Sequence, residues 1–303
     1  MWQQLLVDIK KGDVKALARA ITLIENEFEG YENFLQLLPS SSIPVIGITG
    51  PPGAGKSTLV EGLIGEIVKQ NKKVAVLCVD PSSPFNLGAL LGDRIRMSNW
   101  YNHPNVFIRS LATRGSLGGL HPKIIEITDI LKAAPVDYIM VETVGVGQSE
   151  VEIAGLADTT VVVVVPEAGD EIQTMKAGLM EIADIFVVNK SDRPDADMFV
   201  KNLRQMLAPS FSNRNYEIPV IKTIASSQTG VEELLNKIIK HQQLHLSNER
   251  KAYLLAEKAY QLIQTKRMKG VDKKKLKEDI GEKMKEASFN LYQYVEKKYP
   301  AGL

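Results

Sequence analysis

Cysteine occurs once in the 303 residues, at Cys78, so no internal disulfide can form, a composition that suits a reducing compartment. Cys78 sits in the apolar run 74–79, where a small thiol serves as a buried strand residue rather than a nucleophile. Histidine is almost as scarce: His103, His121, His241 and His245 are scattered. With one cysteine they make a poor set for holding a soft metal. His241 and His245 share helical spacing, yet a pair at a helix end reads as solvated. Long apolar runs are missing too. The longest, around 161–165, is far short of the roughly 20 residues a membrane helix needs. The amino terminus lacks the basic, then apolar, then small-residue layout of a secretory leader. A formal net charge of +1 supplies no general attraction for nucleic acid or anionic membrane. These absences predict a cytoplasmic protein with neither nucleic acid nor membrane as its partner.

What is present is organised around strands. From about residue 43 to 245, short apolar segments alternate with helical ones, the pattern of an α/β fold whose mostly parallel sheet is covered by helices. Strands are predicted at 43–49, 74–79, 106–108, 138–141, 160–165, 185–188 and 220–223. Ahead of them, residues 1–42 form a helical extension, with Val14, Leu17, Ala18, Ile21, Ile24 and Phe28 at helical spacing and Ser40, Ser41 and Ser42 marking the break. Behind them, residues 246–303 change character. From residue 248 onward, 14 lysines and arginines face 8 acids, and two helices separated near Gly270 and Asp272 are expected. That arm reads either as a solvated pair folded back on the domain or as a device for dimerisation or partner docking.

The segment Gly47-Ile-Thr-Gly-Pro-Pro-Gly-Ala-Gly-Lys-Ser-Thr58 joins the first strand to a helix and fits the phosphate-loop pattern of this fold class, the P-loop nucleotide hydrolases. Gly50, Gly53 and Gly55 let backbone N–H groups turn inward, and with Ala54 and Thr58 they cradle phosphate at a helix N-terminus. Lys56 can reach the β- and γ-phosphates. The Ser57 hydroxyl can take one position on Mg²⁺. Glu142, ending the fourth strand, stands where an acidic residue meets the metal, and Gly145 leaves its N–H for the γ-phosphate. Asp80 and Asp93 are candidates for the metal's surroundings or for positioning water, against plainer roles as a helix cap and an ion-pair partner of Arg94 or Arg96. Gln148 is a candidate for orienting water and Arg114 for stabilising charge. Asn189-Lys-Ser-Asp192 has the form that selects guanine: Asp192 accepts from N1–H and the 2-amino group, the Lys190 stem lies along the ring, and Asn189 ties neighbouring loops together. In the turn Thr223-Ile-Ala-Ser-Ser227, Ala225 and Ser226 offer backbone N–H groups to guanine O6. The ligands are thus GTP or GDP with Mg²⁺.

The ordered set Asp80-Pro-Ser-Ser-Pro84, Leu91-Gly-Asp-Arg-Ile-Arg-Met97, Arg114-Gly-Ser-Leu-Gly-Gly119, Glu142-Thr-Val-Gly-Val-Gly-Gln-Ser-Glu150 and Gly169-Asp-Glu-Ile-Gln-Thr-Met-Lys-Ala-Gly178 resembles the ArgK/MeaB family of GTPases. The resemblance implies a homodimeric GTPase chaperone that gates adenosylcobalamin loading and protection of an acyl-CoA mutase, most often methylmalonyl-CoA mutase. It implies that Lys56, Ser57, Asp80, Asp93 and Glu142 surround Mg²⁺ and the phosphates, and that segments near 80–96, 142–155 and 169–180 switch, the last carrying Lys176. The stretch Asn86-Leu-Gly88 is less glycine-rich than the family's usual one, and the lysine-rich arm has no close match. Three rival readings stand beside this one: a GTP-dependent nickel insertase, an ATP-dependent protein kinase, and a scaffold that binds nucleotide with little hydrolysis.

Overall fold

The computed structural model describes residues 1–80, 97–113, 120–143, 149–166, 177–211, 217–244, 249–285 and 288–299. Three helices come first: α1 (Trp2–Lys10), α2 (Val14–Glu25) and α3 (Tyr31–Leu35). The helical extension is thus built of three separate helices. Asp13 caps α2, its carboxylate accepting from the N–H groups of Lys15 and Ala16, which satisfies donors that a helix start leaves open. Leu17, Ile21 and Ile24 are buried as the spacing predicts. Val14 and Phe28 instead face solvent, because the one opens α2 and the other follows its end.

Among the described residues seven strands make one parallel sheet, β1 (Val45–Thr49), β2 (Val74–Asp80), β3 (Val106–Ala112), β4 (Tyr138–Glu142), β5 (Thr159–Val164), β6 (Ile185–Val188) and β7 (Val220–Lys222), in the order β3-β2-β4-β1-β5-β6-β7. Between them run α4 (Lys56–Lys69), α5 (Ile124–Leu131), α6 (Ser149–Leu156), α7 (Ala177–Ile182), α8 (Ala196–Phe211) and α9 (Val231–Gln243). Both faces are apolar, so the strands read as near-continuous hydrophobic runs. Alternate residues of each strand then go to opposite cores. Val76 and Cys78, with Ile46 and Ile48, pack with Leu59, Leu63 and Ile67 of α4 and Leu234 and Ile238 of α9. Ala75, Leu77 and Val79 pack with the amino-terminal helices, α5 and α6. Val162, Val164, Phe186 and Val188 complete that second face with α7 and α8.

The third strand is four residues longer than predicted. Arg109 and Ser110 break its apolar pattern, yet the segment stays in register with β2 through Asp80↔Ala112. Arg109 is accommodated because its guanidinium reaches Glu25 and Thr22 of α2.

His241 is also a correction: it is buried rather than solvated. Its Nδ1 lies 2.8 Å from Thr159 Oγ1, and Asp184 is 3.8 Å from Nε2. Burial lowers its pKa, and Arg250 adds to that while Asp184 opposes it. Because the folded protein resists protonating this ring, the unfolded chain binds the extra proton first. Stability is therefore complete above the ordinary histidine range and falls as pH drops through about 6.5. Urea midpoints measured from pH 8 to pH 5 should decline, and His241→Gln should make that decline shallower.

The chain divides into two compact units, Met1–Leu254 and Leu255–Leu303. Helix α10 (Glu249–Arg267) begins in the first, where Arg250 donates to the Ile182 and Glu181 carbonyls and Lys251 pairs with Asp158. The second unit holds the rest of α10, then α11 (Lys273–Lys283) and α12 (Leu291–Lys298), so three helices stand where two were expected. Asp272 caps α11, and Asp279 accepts from both Tyr294 and Lys298. Tyr260, Ile263, Met284 and Tyr292 remain exposed.

Candidate functional site

In an open parallel sheet, ligands bind beyond the carboxyl ends of the strands, where the strand order reverses. Here β1 lies between β4 and β5. The turn leaving β1 carries Gly50 at φ +140°, Gly53 at +76° and Gly55 at +88°. Two of these glycines are required by close approach. A Cβ at Gly50 would lie 2.0 Å from the Val163 carbonyl oxygen of β5, and one at Gly55 would lie 2.3 Å from Asn189 Nδ2. The loop is thus pressed against β5 on one side and against the turn after β6 on the other.

Gly55 leads directly into α4, so the first N–H groups of that helix, with the positive end of its dipole, face the loop. Lys56 is buried, and its Nζ donates to the carbonyls of Gly50 at 2.9 Å and Pro51 at 3.1 Å. Its ammonium therefore lies across the loop. Ser57 Oγ donates to Glu142 Oε1 at 2.6 Å, which brings together two residues 85 apart in sequence. Glu142 is buried at the end of β4, beside Ile48 of β1 and Cys78 of β2. Asp80 ends β2, also buried, two residues beyond that point on the neighbouring strand. A buried hydroxyl pair, Thr143 Oγ1 to Thr49 Oγ1 at 2.9 Å, joins the ends of β4 and β1. A hydroxyl and a carboxylate oxygen at a helix N-terminus are hard donors, and that donor chemistry fits Mg²⁺.

The turns after β6 and β7 and the glycine-rich loop converge on one amide. Asn189 is buried after β6; its Nδ2 donates to the Ala54 carbonyl at 2.8 Å, and its Oδ1 accepts from Thr223 Oγ1 at 3.1 Å and Ala225 N–H at 3.0 Å. Three loops are joined by a single side chain. The Ala225 N–H is thus engaged within the protein. Lys190 takes a left-handed φ of +56°, and Ser191 N–H donates to the Thr223 carbonyl at 3.1 Å. Asp192 is exposed at the rim of this turn. Asp93, Arg114, Gly145, Gln148 and Lys176 lie outside the described residues. Sequence reasoning missed Thr223 as a support for Asn189; its only signal was a hydroxyl residue closing the last strand.

Asn189→Ala removes all three bonds and leaves buried partners unmatched, at about 1 kcal/mol or more for each. The expected results are a loss of roughly 3 kcal/mol in urea unfolding and at least about tenfold weaker binding of a fluorescent guanine nucleotide. Gly55→Ala should weaken nucleotide binding as well, because it combines a left-handed φ with the close approach to Asn189.

The sequence matches the family described as methylmalonyl Co-A mutase-associated GTPase MeaB over residues 17–279. A Pyrococcus abyssi protein whose name places it among GTPases is 49% identical over 248 residues, covering 80% of this chain and 76% of its own. The fused isobutyryl-CoA mutase of Geobacillus kaustophilus is 39% identical over 233 residues, 72% of this chain but 21% of that longer protein. Among solved structures, one titled LAO/AO transport system kinase shares the fold, with a TM-score of 0.65 at 24% identity over 99% of this chain and 93% of that one. On the family match and on its order of motifs, the chain belongs to the MeaB family of GTPases.

Proposed function

We propose that this GTPase serves an adenosylcobalamin-dependent acyl-CoA mutase, using GTP binding and hydrolysis to gate cofactor loading and to protect the loaded enzyme. The observation that carries this reading is the likeness to a segment of a fused isobutyryl-CoA mutase, in which a GTPase-like region is part of the same protein as a mutase. The mutase served acts on methylmalonyl-CoA or on a related branched or hydroxylated acyl-CoA.

In this reading residues 43–245 form the GTPase domain and 1–42 its helical extension. The arm, 246–303, joins two copies into a homodimer in the cytoplasm; its exposed Tyr260, Ile263 and Tyr292 supply apolar surface for that contact. Gly50, Gly53, Ala54, Gly55, Lys56 and Thr58 hold the phosphates together with Gly145. Asn189, Lys190 and Asp192 select guanine with the Ser226 N–H, while the Ala225 N–H, taken by Asn189, braces the turn. Ser57 and Glu142 would hold Mg²⁺, with Asp80 and Asp93 as its further candidates, and the ion would supply neutralisation of phosphate charge. Lys56 stabilises charge that grows on those oxygens as water attacks, and Gln148 orients the water. Catalysis is thus positioning and charge stabilisation.

The test is GTP turnover by the purified protein, alone and with methylmalonyl-CoA mutase or isobutyryl-CoA mutase and adenosylcobalamin, with ATP as the control nucleotide. GTP-selective turnover that rises several-fold with one mutase supports the reading. Turnover indifferent to every such mutase refutes the chaperone role while leaving the GTPase intact.

A further inference from the structure

Thr49 ends β1 and Thr143 follows the end of β4, the neighbouring strands from which the phosphate loop and the acidic segment depart. Both side chains are buried, 0% and 1% exposed, and Thr143 Oγ1 donates to Thr49 Oγ1 at 2.9 Å. Thr143 N–H also donates to the Ile48 carbonyl at 3.0 Å. Backbone and side chain of one residue thus fasten the end of β4 to β1. Thr49 is the firmer side of that contact, since it is in register with Val162 of β5 and the next residue, Gly50, closely approaches the Val163 carbonyl.

The hydroxyl pair closes a ring. Lys56 Nζ reaches back to the Gly50 carbonyl at 2.9 Å, Ser57 Oγ reaches Glu142 Oε1 at 2.6 Å, and Thr143 Oγ1 returns to Thr49. These bonds are joined by the peptide links 49–50, 56–57 and 142–143. Gly50, Lys56, Ser57 and Glu142 each have a phosphate or a metal to meet in the function proposed above; the two threonines have none. Burial does not call for their hydroxyls, because two valines would fill the same space with no polar atom to satisfy, and such an exchange is close to neutral in stability. What a hydroxyl pair adds is direction: a satisfied buried bond selects one arrangement where apolar contact tolerates several. Direction matters beside a glutamate, whose carboxylate hangs on a chain of rotatable bonds and inherits any error at its base.

We propose that Thr49 and Thr143 are positioning residues of the GTPase, their hydroxyl bond holding the base of Glu142 against the phosphate loop so that Glu142 and Ser57 serve one Mg²⁺ ion together. The inference rests on the metal reading of Ser57 and Glu142 given above.

The experiment measures binding of a fluorescent, non-hydrolysable GTP analogue to the full chain with Mg²⁺ and with EDTA, and takes the ratio of the two dissociation constants. Mg²⁺ is expected to tighten binding to the unaltered protein. Thr49→Val, Thr143→Val and the double valine variant should each shrink that ratio about fivefold or more, whereas Thr49→Ser and Thr143→Ser, which keep the hydroxyls, should hold it within about twofold. Urea unfolding separates alignment from stability. Each single valine leaves a buried hydroxyl unmatched and should lower the urea midpoint, while the double variant removes both hydroxyls and should recover most of it. The Mg²⁺ ratio should not recover with it. A double variant that keeps the unaltered ratio would overturn the proposal. So would valine variants that lose affinity equally with and without Mg²⁺, or serine variants as impaired as the valines. If Mg²⁺ leaves the affinity of the unaltered protein unchanged, the metal reading itself fails and the proposal falls with it, a different result from a Mg²⁺ effect that survives both valines.

Discussion

Replacing Lys56 with alanine is expected to lower GTP turnover by roughly 10²–10³-fold, the usual loss when one pre-placed donor to a charged transition state is removed. The ammonium is already buried and held on the Gly50 and Pro51 carbonyls, so it need not be gathered from solvent when phosphate enters. Lys56→Arg should not restore the rate, because a planar fork replaces a compact ammonium in a space bounded by two carbonyls. Single-turnover hydrolysis at saturating GTP separates this loss from weaker binding. Turnover within about threefold of the unaltered protein would remove Lys56 from the reaction.

The second large effect is an exchange of base preference. Asp192 offers two acceptor oxygens, which suit the N1–H and 2-amino donors of guanine. The amide introduced by Asp192→Asn would offer one acceptor and one donor, which suit xanthine, whose C2 bears a carbonyl. Losing a charged double contact and opposing two donors should weaken GTP by about 10²–10³-fold while xanthosine triphosphate gains. Competition of both nucleotides against a fluorescent GDP analogue measures this directly. An unchanged order of preference would place base recognition elsewhere than in the Asn189–Asp192 turn. Because Asp192 is exposed, the substitution should leave unfolding nearly unaltered.

Much of this arrangement could be read from residues alone, for a physical reason. Phosphate loops and guanine-selecting turns are local: their glycines, lysine and carboxylate act where they stand in sequence, directly after a strand. The seven strands were equally visible because burial on both faces leaves plain apolar runs. What stayed hidden depends on contacts far apart in the chain. The second half of β3 carries Arg109, which looks like a strand end until Glu25 of α2 is seen to meet it. His241 looks solvated until Thr159, 82 residues away, is found against its ring. Thr223 and the Ala54 carbonyl became partners of Asn189 only through folding, since the separations are 34 and 135 residues. The amino-terminal stretch carried a helical period throughout, and periodicity does not reveal that Asp13 divides it.

The amide of Asn189 touches both the phosphate loop and the turn before α9, and this fixes the interval between them. A rigid interval makes the site bidentate in the chelate sense: a ligand whose two ends are joined by ribose gains the second contact at an effective concentration in the millimolar range. Guanosine and inorganic tripolyphosphate supplied together should therefore fail to reproduce the affinity of GTP, although between them they carry nearly every contacting group. Asn189→Ala, by loosening the interval, should narrow that gap chiefly by weakening the joined ligand.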